Sequence, residues 1–125
     1  MIGIKFYYSK SKDQVIEVTS ENEINLNAQD FKELIPNTED AATEKHVPCI
    51  KFYGENVLIN VGEVTHPMSD EHLIKAIFVV TSKGTIYRKY LKPTDEPLFE
   101  IENIDSKHFD VYSYCNLHGL WKKSI

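Results

Sequence analysis

The stretch His72-Leu73-Ile74-Lys75-Ala76-Ile77-Phe78-Val79-Val80-Thr81-Ser82-Lys83-Gly84-Thr85-Ile86-Tyr87-Arg88-Lys89-Tyr90-Leu91 reads as strand, turn, strand. His72 to Thr81 is a long apolar strand. Ser82-Lys83-Gly84 is the turn, and Thr85 to Leu91 returns with Ile86, Arg88 and Tyr90 on one face, opposite Tyr87 and Lys89. The apolar run Ala76 to Val80 is strand-sized and far short of the roughly 20 residues that a membrane-spanning helix needs. Working upstream, Cys49 to Phe52 and Val57 to Val61 form a second hairpin around Gly54-Glu55-Asn56. Downstream, Pro97 to Glu102 and Phe109 to Tyr114 add two more strands. The body therefore holds about six or seven short strands with turns every ~8–12 residues, the signature of a β-sandwich. No helix-period pattern runs long enough for a bundle, and internal repeats are absent.

Ahead of this body, Ile4 to Tyr8 and Val15 to Val18 read as a small independent hairpin across the polar run Ser9 to Gln14. The segment Asp30 to Ile35 reads as a helical turn capped by Asp30 and ended by Pro36-Asn37-Thr38. Glu39 to Lys45 is a polar connector. The fold class is all-β with a small N-terminal appendage.

A chain of 125 residues with 42% hydrophobic residues can bury a core without disulfides. The net charge of -5 argues against a nucleic-acid partner, because neutralising phosphates takes clustered Lys and Arg, and Lys10 to Lys12 is the one dense cationic cluster. Nothing in Met1 to Lys5 reads as an export leader, so a cytoplasmic location without membrane attachment is expected. In such a reducing compartment the two cysteines, Cys49 and Cys115, are not a disulfide framework, and one is free to bind metal. Cys49 reads as a buried strand residue.

Of the five histidines, His46, His66, His72 and His118 stand in polar or turn-forming contexts, and His108 looks ordinary. Cys115-Asn116-Leu117-His118-Gly119 can bring a thiolate and an imidazole to one ion from a single tight loop. Such a pair alone also occurs in zinc and copper sites and by chance. His66 and His72 can converge across Met68 to Glu71. His46 lies just before Val47-Pro48, where an extended backbone would aim its ring inward. Taken singly, each histidine is most simply a surface loop residue. Taken together, four imidazoles and a thiolate suit a borderline transition metal rather than calcium or magnesium. Five donors exceed a tetrahedral zinc set and leave a vacant octahedral position.

Three segments, Glu44-Lys45-His46-Val47-Pro48, His66-Pro67-Met68 through Glu71-His72, and Tyr114-Cys115-Asn116-Leu117-His118-Gly119-Leu120-Trp121, resemble the superoxide reductases of the desulfoferrodoxin and neelaredoxin type. Asn37-Thr38, Asp40-Ala41-Ala42 and Leu91-Lys92-Pro93 extend the likeness over nearly the whole chain. The resemblance implies an immunoglobulin-like β-sandwich catalytic domain over residues 39–125. One non-haem iron per chain would be held by His46, His66, His72, His118 and Cys115. It further implies one-electron reduction of superoxide to hydrogen peroxide, with Glu44 as an occasional sixth ligand and Lys45 attracting the anion. A rubredoxin-like electron donor and a homodimer are implied as well.

The family's larger members add an N-terminal desulforedoxin-like module in which four cysteines bind a second iron. Here residues 1–38 keep the module's outline, but Ser9, Lys12, Leu26 and Asn27 stand near its cysteine positions, so a second iron is not expected. Leu73 and Ala76 replace an aromatic residue that often follows the His72 position. Two other chemistries fit part of the donor set. A blue-copper electron carrier would use two histidines, a cysteine and a methionine, but none follows His118, so Met68 would have to serve from another loop. A structural zinc or metal-sensing module would leave a histidine unused.

Overall fold

The computed structural model describes residues 4–11, 13–18 and 30–125. The readings given above for Met1 to Gly3, Lys12, Leu26 and Asn27 lie outside these. The elements are β1 (Lys5–Ser9), β2 (Gln14–Val18), β3 (Phe31–Leu34), α1 (Thr43–His46), β4 (Pro48–Tyr53), β5 (Asn56–Val61), β6 (Ile74–Thr81), β7 (Ile86–Tyr90), β8 (Leu98–Ile101), β9 (Phe109–Cys115) and β10 (Gly119–Ser124). They form three antiparallel sheets, ordered β2-β1-β3, β10-β9-β6-β7 and β4-β5-β8. The last two sheets make the sandwich, and the first covers its outer side.

The continuous apolar run of β6 follows from this layering, because a strand covered on both faces has no solvent side to make polar. Ile77 and Val79 pack inward with Val57, Ile59, Val61 and Val111 between the sandwich sheets. Ala76, Phe78 and Val80 point the other way and pack with Phe6 of β1, Tyr112 and Leu120. Phe6 is 1% exposed and its ring lies 5.0 Å from Phe78 and 5.1 Å from Tyr112. The N-terminal hairpin therefore does not stand alone. An ion pair at 2.5 Å between Arg88 of β7 and Glu17 of β2 ties the same two layers at their rim.

Residues 31–34 form strand β3, where a helical turn was expected. Four residues gain little by nucleating a helix. The open edge of β1 instead supplies partners, with Phe6 opposite Leu34 and Ser9 opposite Phe31. Asp30 caps the β1–β2 loop rather than a helix. Its carboxylate accepts from the Ser9 hydroxyl at 3.1 Å and the Ser11 amide at 2.7 Å, and its carbonyl accepts from the Lys10 amide at 2.8 Å.

The polar connector runs into α1, whose N-cap Ala42 offers no side-chain cap. Cys49 is half-buried rather than buried, since β4 is an edge strand. β6 begins at Ile74, because His72 and Leu73 are held by loop contacts. Among the described residues, no helix is long and apolar enough to cross a membrane.

Candidate metal centre

Three segments at one end of the sandwich, α1 before β4, the β5–β6 connection and the β9–β10 turn, carry the side chains singled out above. His46 ends α1, and it is Val47, with φ -71° and ψ 126°, that takes the extended conformation before Pro48. The turn still sends the His46 ring inward, where it is 2% exposed. The His46 carbonyl accepts a buried hydrogen bond from the Ser113 hydroxyl at 2.9 Å. α1 is pressed onto the chain after β5 through Val64 N–H to Glu44 carbonyl (2.9 Å) and Gly62 N–H to Val47 carbonyl (3.1 Å). Gly62 has φ +88°, and a Cβ there would lie 2.6 Å from the Lys45 carbonyl oxygen, so this close approach requires glycine.

His66, also 2% exposed, follows β5. His72 precedes β6 by two residues, in a loop where the Ser69 hydroxyl accepts from the His72 amide at 3.1 Å. Cys115 closes β9 and is fully buried, and His118 lies in the turn to β10. Gly119, at φ +77°, pairs with Cys115 and closes that turn. Trp121 seals the cluster from β10. Its indole N–H donates to the His118 carbonyl at 3.0 Å, and its ring stacks on His46 at 4.9 Å and 24°.

The four imidazoles form a four-sided ring. Neighbouring centroids are 4.6 Å (His46–His66), 4.6 Å (His66–His72), 5.0 Å (His72–His118) and 4.9 Å (His118–His46), while the His46–His72 diagonal is 6.3 Å. Adjacent planes stand at 72° to 87°, like the blades of a propeller. The ligand atoms of His46, His66, His72 and Cys115 all lie within 4.8 Å of one another. His118 Nδ1 is 3.2 Å from His46 Nε2 and 3.9 Å from Cys115 Sγ.

The donor chemistry fits a cation at the middle. His46 Nδ1 and His66 Nδ1 each lie 2.7 Å from a carbonyl, of Ala42 and Pro67 respectively, so both rings donate outward there. That assigns a lone pair to each Nε2, and the two Nε2 atoms face each other at 3.1 Å. Two lone pairs at that separation repel unless a positive charge lies between them. Nitrogens about 2.0–2.1 Å from one ion and at right angles to it would stand at a comparable spacing. His72 Nε2 is buried without a hydrogen-bond partner among the described residues, a costly arrangement unless a metal takes the lone pair.

Burial holds His46, His66 and His72 below the ordinary imidazole value, with repulsion from the neighbouring rings adding to it, and His66 is lowered to about 4. All three are thus neutral near pH 7, the form that ligates. Burial pushes the Cys115 thiol up, against hydrogen bonds from the Leu117 and His118 amides that favour the thiolate. A cation reverses that balance by binding sulfur as thiolate.

Glu44 and Lys45 are exposed on α1, beside the cluster. Their charges act on His46 in opposite senses, and Lys45 also lowers His72. His108 is exposed and bonded into the Ser106 turn, away from the cluster. Met68 is engaged elsewhere, since its sulfur accepts from the Ile74 amide at 3.4 Å. Sequence reasoning missed Ser113, Trp121 and Gly62 as supports of the centre. Only Trp121 lay within a quoted segment, and it carried no assigned role.

Residues 38–124 match the family profile described as Desulfoferrodoxin. The chain belongs to the desulfoferrodoxin family. A desulfoferrodoxin from Clostridium acetobutylicum is 36% identical, over 98% of this chain and 97% of its own length. A superoxide reductase from Pyrococcus horikoshii is 31% identical, over 66% of this chain and 86% of its own. Among solved structures, the superoxide reductase from Treponema pallidum is similar with a TM-score of 0.75 and 28% identity, covering 97% of this chain and 98% of that one. The desulfoferrodoxin profile spans every histidine and cysteine of the cluster. The C. acetobutylicum and T. pallidum proteins match over nearly the full length, so their similarity extends to β1–β3.

Proposed function

We propose that this protein is a superoxide reductase, in which His46, His66, His72, His118 and Cys115 hold one non-haem iron. The observation that carries the reading is the four-sided ring of imidazoles with a buried thiol as fifth donor. Held there, iron would supply the one electron that, with two protons, converts superoxide to hydrogen peroxide without release of oxygen.

The chain's own residues set the conditions for this. The Ala42 and Pro67 carbonyls fix the His46 and His66 rings and leave their Nε2 atoms as donors. Trp121 excludes water behind His46. The Leu117 and His118 amides temper the donor strength of the Cys115 sulfur. Lys45, exposed on α1 beside His46, would draw a small anion toward the centre, and Glu44 on the same helix would serve as the occasional sixth ligand that the resemblance implies.

An external reductant is needed to restore the electron, and the family resemblance favours a rubredoxin-like carrier. The same resemblance favours a cytoplasmic homodimer as the working form. Elemental analysis with an absorption spectrum of the oxidised protein tests the assignment. Stoichiometric iron and a visible thiolate-to-iron band are expected, and Cys115→Ser should lose both the band and turnover. Retained activity in that variant, or stoichiometric zinc in the wild type, would refute it.

A further inference from the structure

Asn116 sits inside the Cys115–His118 turn, yet its side chain reaches a different loop. Its Oδ1 accepts from the Leu73 amide at 3.0 Å, and its Nδ2 donates to the Glu71 carbonyl at 2.9 Å. Its backbone amide donates to the Leu73 carbonyl at 3.3 Å. Glu71 and Leu73 flank His72. The β6–β9 ladder ends with Ile74 opposite Cys115, after a register shift. Beyond that point the strand ladder stops, and Asn116 carries the pairing one step further with its backbone amide and its side chain.

The residue type is specific to the task. The clamp needs an acceptor and a donor on one short planar group, which asparagine has. Aspartate offers no donor, serine cannot span both partners, and glutamine is a methylene longer. The need is also specific to His72. The His46 and His66 rings are each anchored by a carbonyl, whereas among the described residues no hydrogen bond fixes the His72 ring and its Nε2 is unpartnered. The aim of His72 therefore depends on its backbone. Ser69 holds that backbone from one side, with its amide donating to the His72 carbonyl at 2.9 Å, and Asn116 holds it from the other.

We propose that Asn116 is a positioning residue of the metal centre, locking the His72 loop to the Cys115–His118 turn so that the sulfur and both imidazoles meet one ion in a fixed geometry. This rests on the five-donor assignment given above. Supporting groups of this kind are worth roughly 10–100-fold in metal affinity.

The test uses the iron-loaded full-length protein, reading the thiolate-to-iron absorption band and the rate of iron loss to an excess of ferrous chelator after reduction. Asn116→Ala should shift the band and speed iron loss roughly 10–100-fold. Asn116→Asp, nearly isosteric and keeping only the acceptor half, should fall between that variant and wild type, and it carries the test if the alanine variant does not fold. Asn56→Ala is the control for general destabilisation, since Asn56 makes a comparable bridge to the Asn103 amide at 3.1 Å. It should leave band and loss rate unchanged. A wild-type band and loss rate in Asn116→Ala, even with a lowered unfolding temperature, would overturn the proposal, as would equal changes in Asn56→Ala. A wild-type protein without any thiolate band would overturn the five-donor centre itself, and the clamp with it.

Discussion

At position 118 the atom nearest the other donors is Nδ1, while His46 and His66 direct Nε2 inward. The tight turn between Cys115 and His118 explains the difference, because a ring so close to the sulfur in sequence meets a shared point with its nearer nitrogen. The donor residue types were legible from the sequence, since imidazoles and a thiol are scarce and their spacing is visible. Which nitrogen each ring uses was not, because that depends on where Ala42 and Pro67 place their carbonyls. Glu44 and Lys45 show the same boundary, as their neighbourhood was legible while their exposure required the fold. Lys45 is the cation beside His46, so Lys45→Ala should slow superoxide consumption by up to about tenfold at low salt and flatten its dependence on ionic strength. Pulse radiolysis or stopped flow across a salt series measures this. An unchanged low-salt rate would remove Lys45 from the approach path.

The elements divide by length. Strands β4 to β9 were legible because each alternates or runs apolar between turn residues, and Gly54 at φ +63° sits where the first sandwich hairpin needs it. β10 went unread because Lys122-Lys123-Ser124 ends it without an apolar pattern. β3 was misread because four residues fit either a turn or a strand, and only the edge of β1 decides between them. α1 left no signal at all, having a single turn and no capping side chain. What makes α1 possible is Gly62, whose missing side chain lets the helix carbonyls approach. Gly62→Ala would place a methyl group 2.4 Å from the Val64 carbonyl oxygen at a positive φ. It should cost ~1–3 kcal/mol by overpacking and displace His46. Thermal unfolding with iron content per chain measures both, and full iron occupancy at wild-type stability would show that α1 tolerates the shift.

On the scale of the whole molecule, the three sheets share their interior through β6. Phe6, from the first strand, fills the contact between the N-terminal sheet and the sandwich, and Phe6→Ala should destabilise the protein by about 3–5 kcal/mol. The single tryptophan, Trp121, lies against His46 and so reports on the sandwich. Denaturant unfolding followed by its fluorescence together with far-ultraviolet circular dichroism should show one coincident transition moved to lower denaturant. Two transitions, with the tryptophan phase unmoved, would mean that the N-terminal sheet unfolds by itself. The sandwich was legible from turn spacing, but this shared interior was not. The pattern of Ala76 to Val80 announces a strand covered twice without saying by what.

Because Ala76, Phe78 and Val80 turn away from the sandwich, the sheet that carries Cys115 has an oily back as well as an oily front. A chain without its first strands would offer that back to the nearest sticky surface, another copy included. The first strands therefore serve the sandwich as a cover, kept for what they hide.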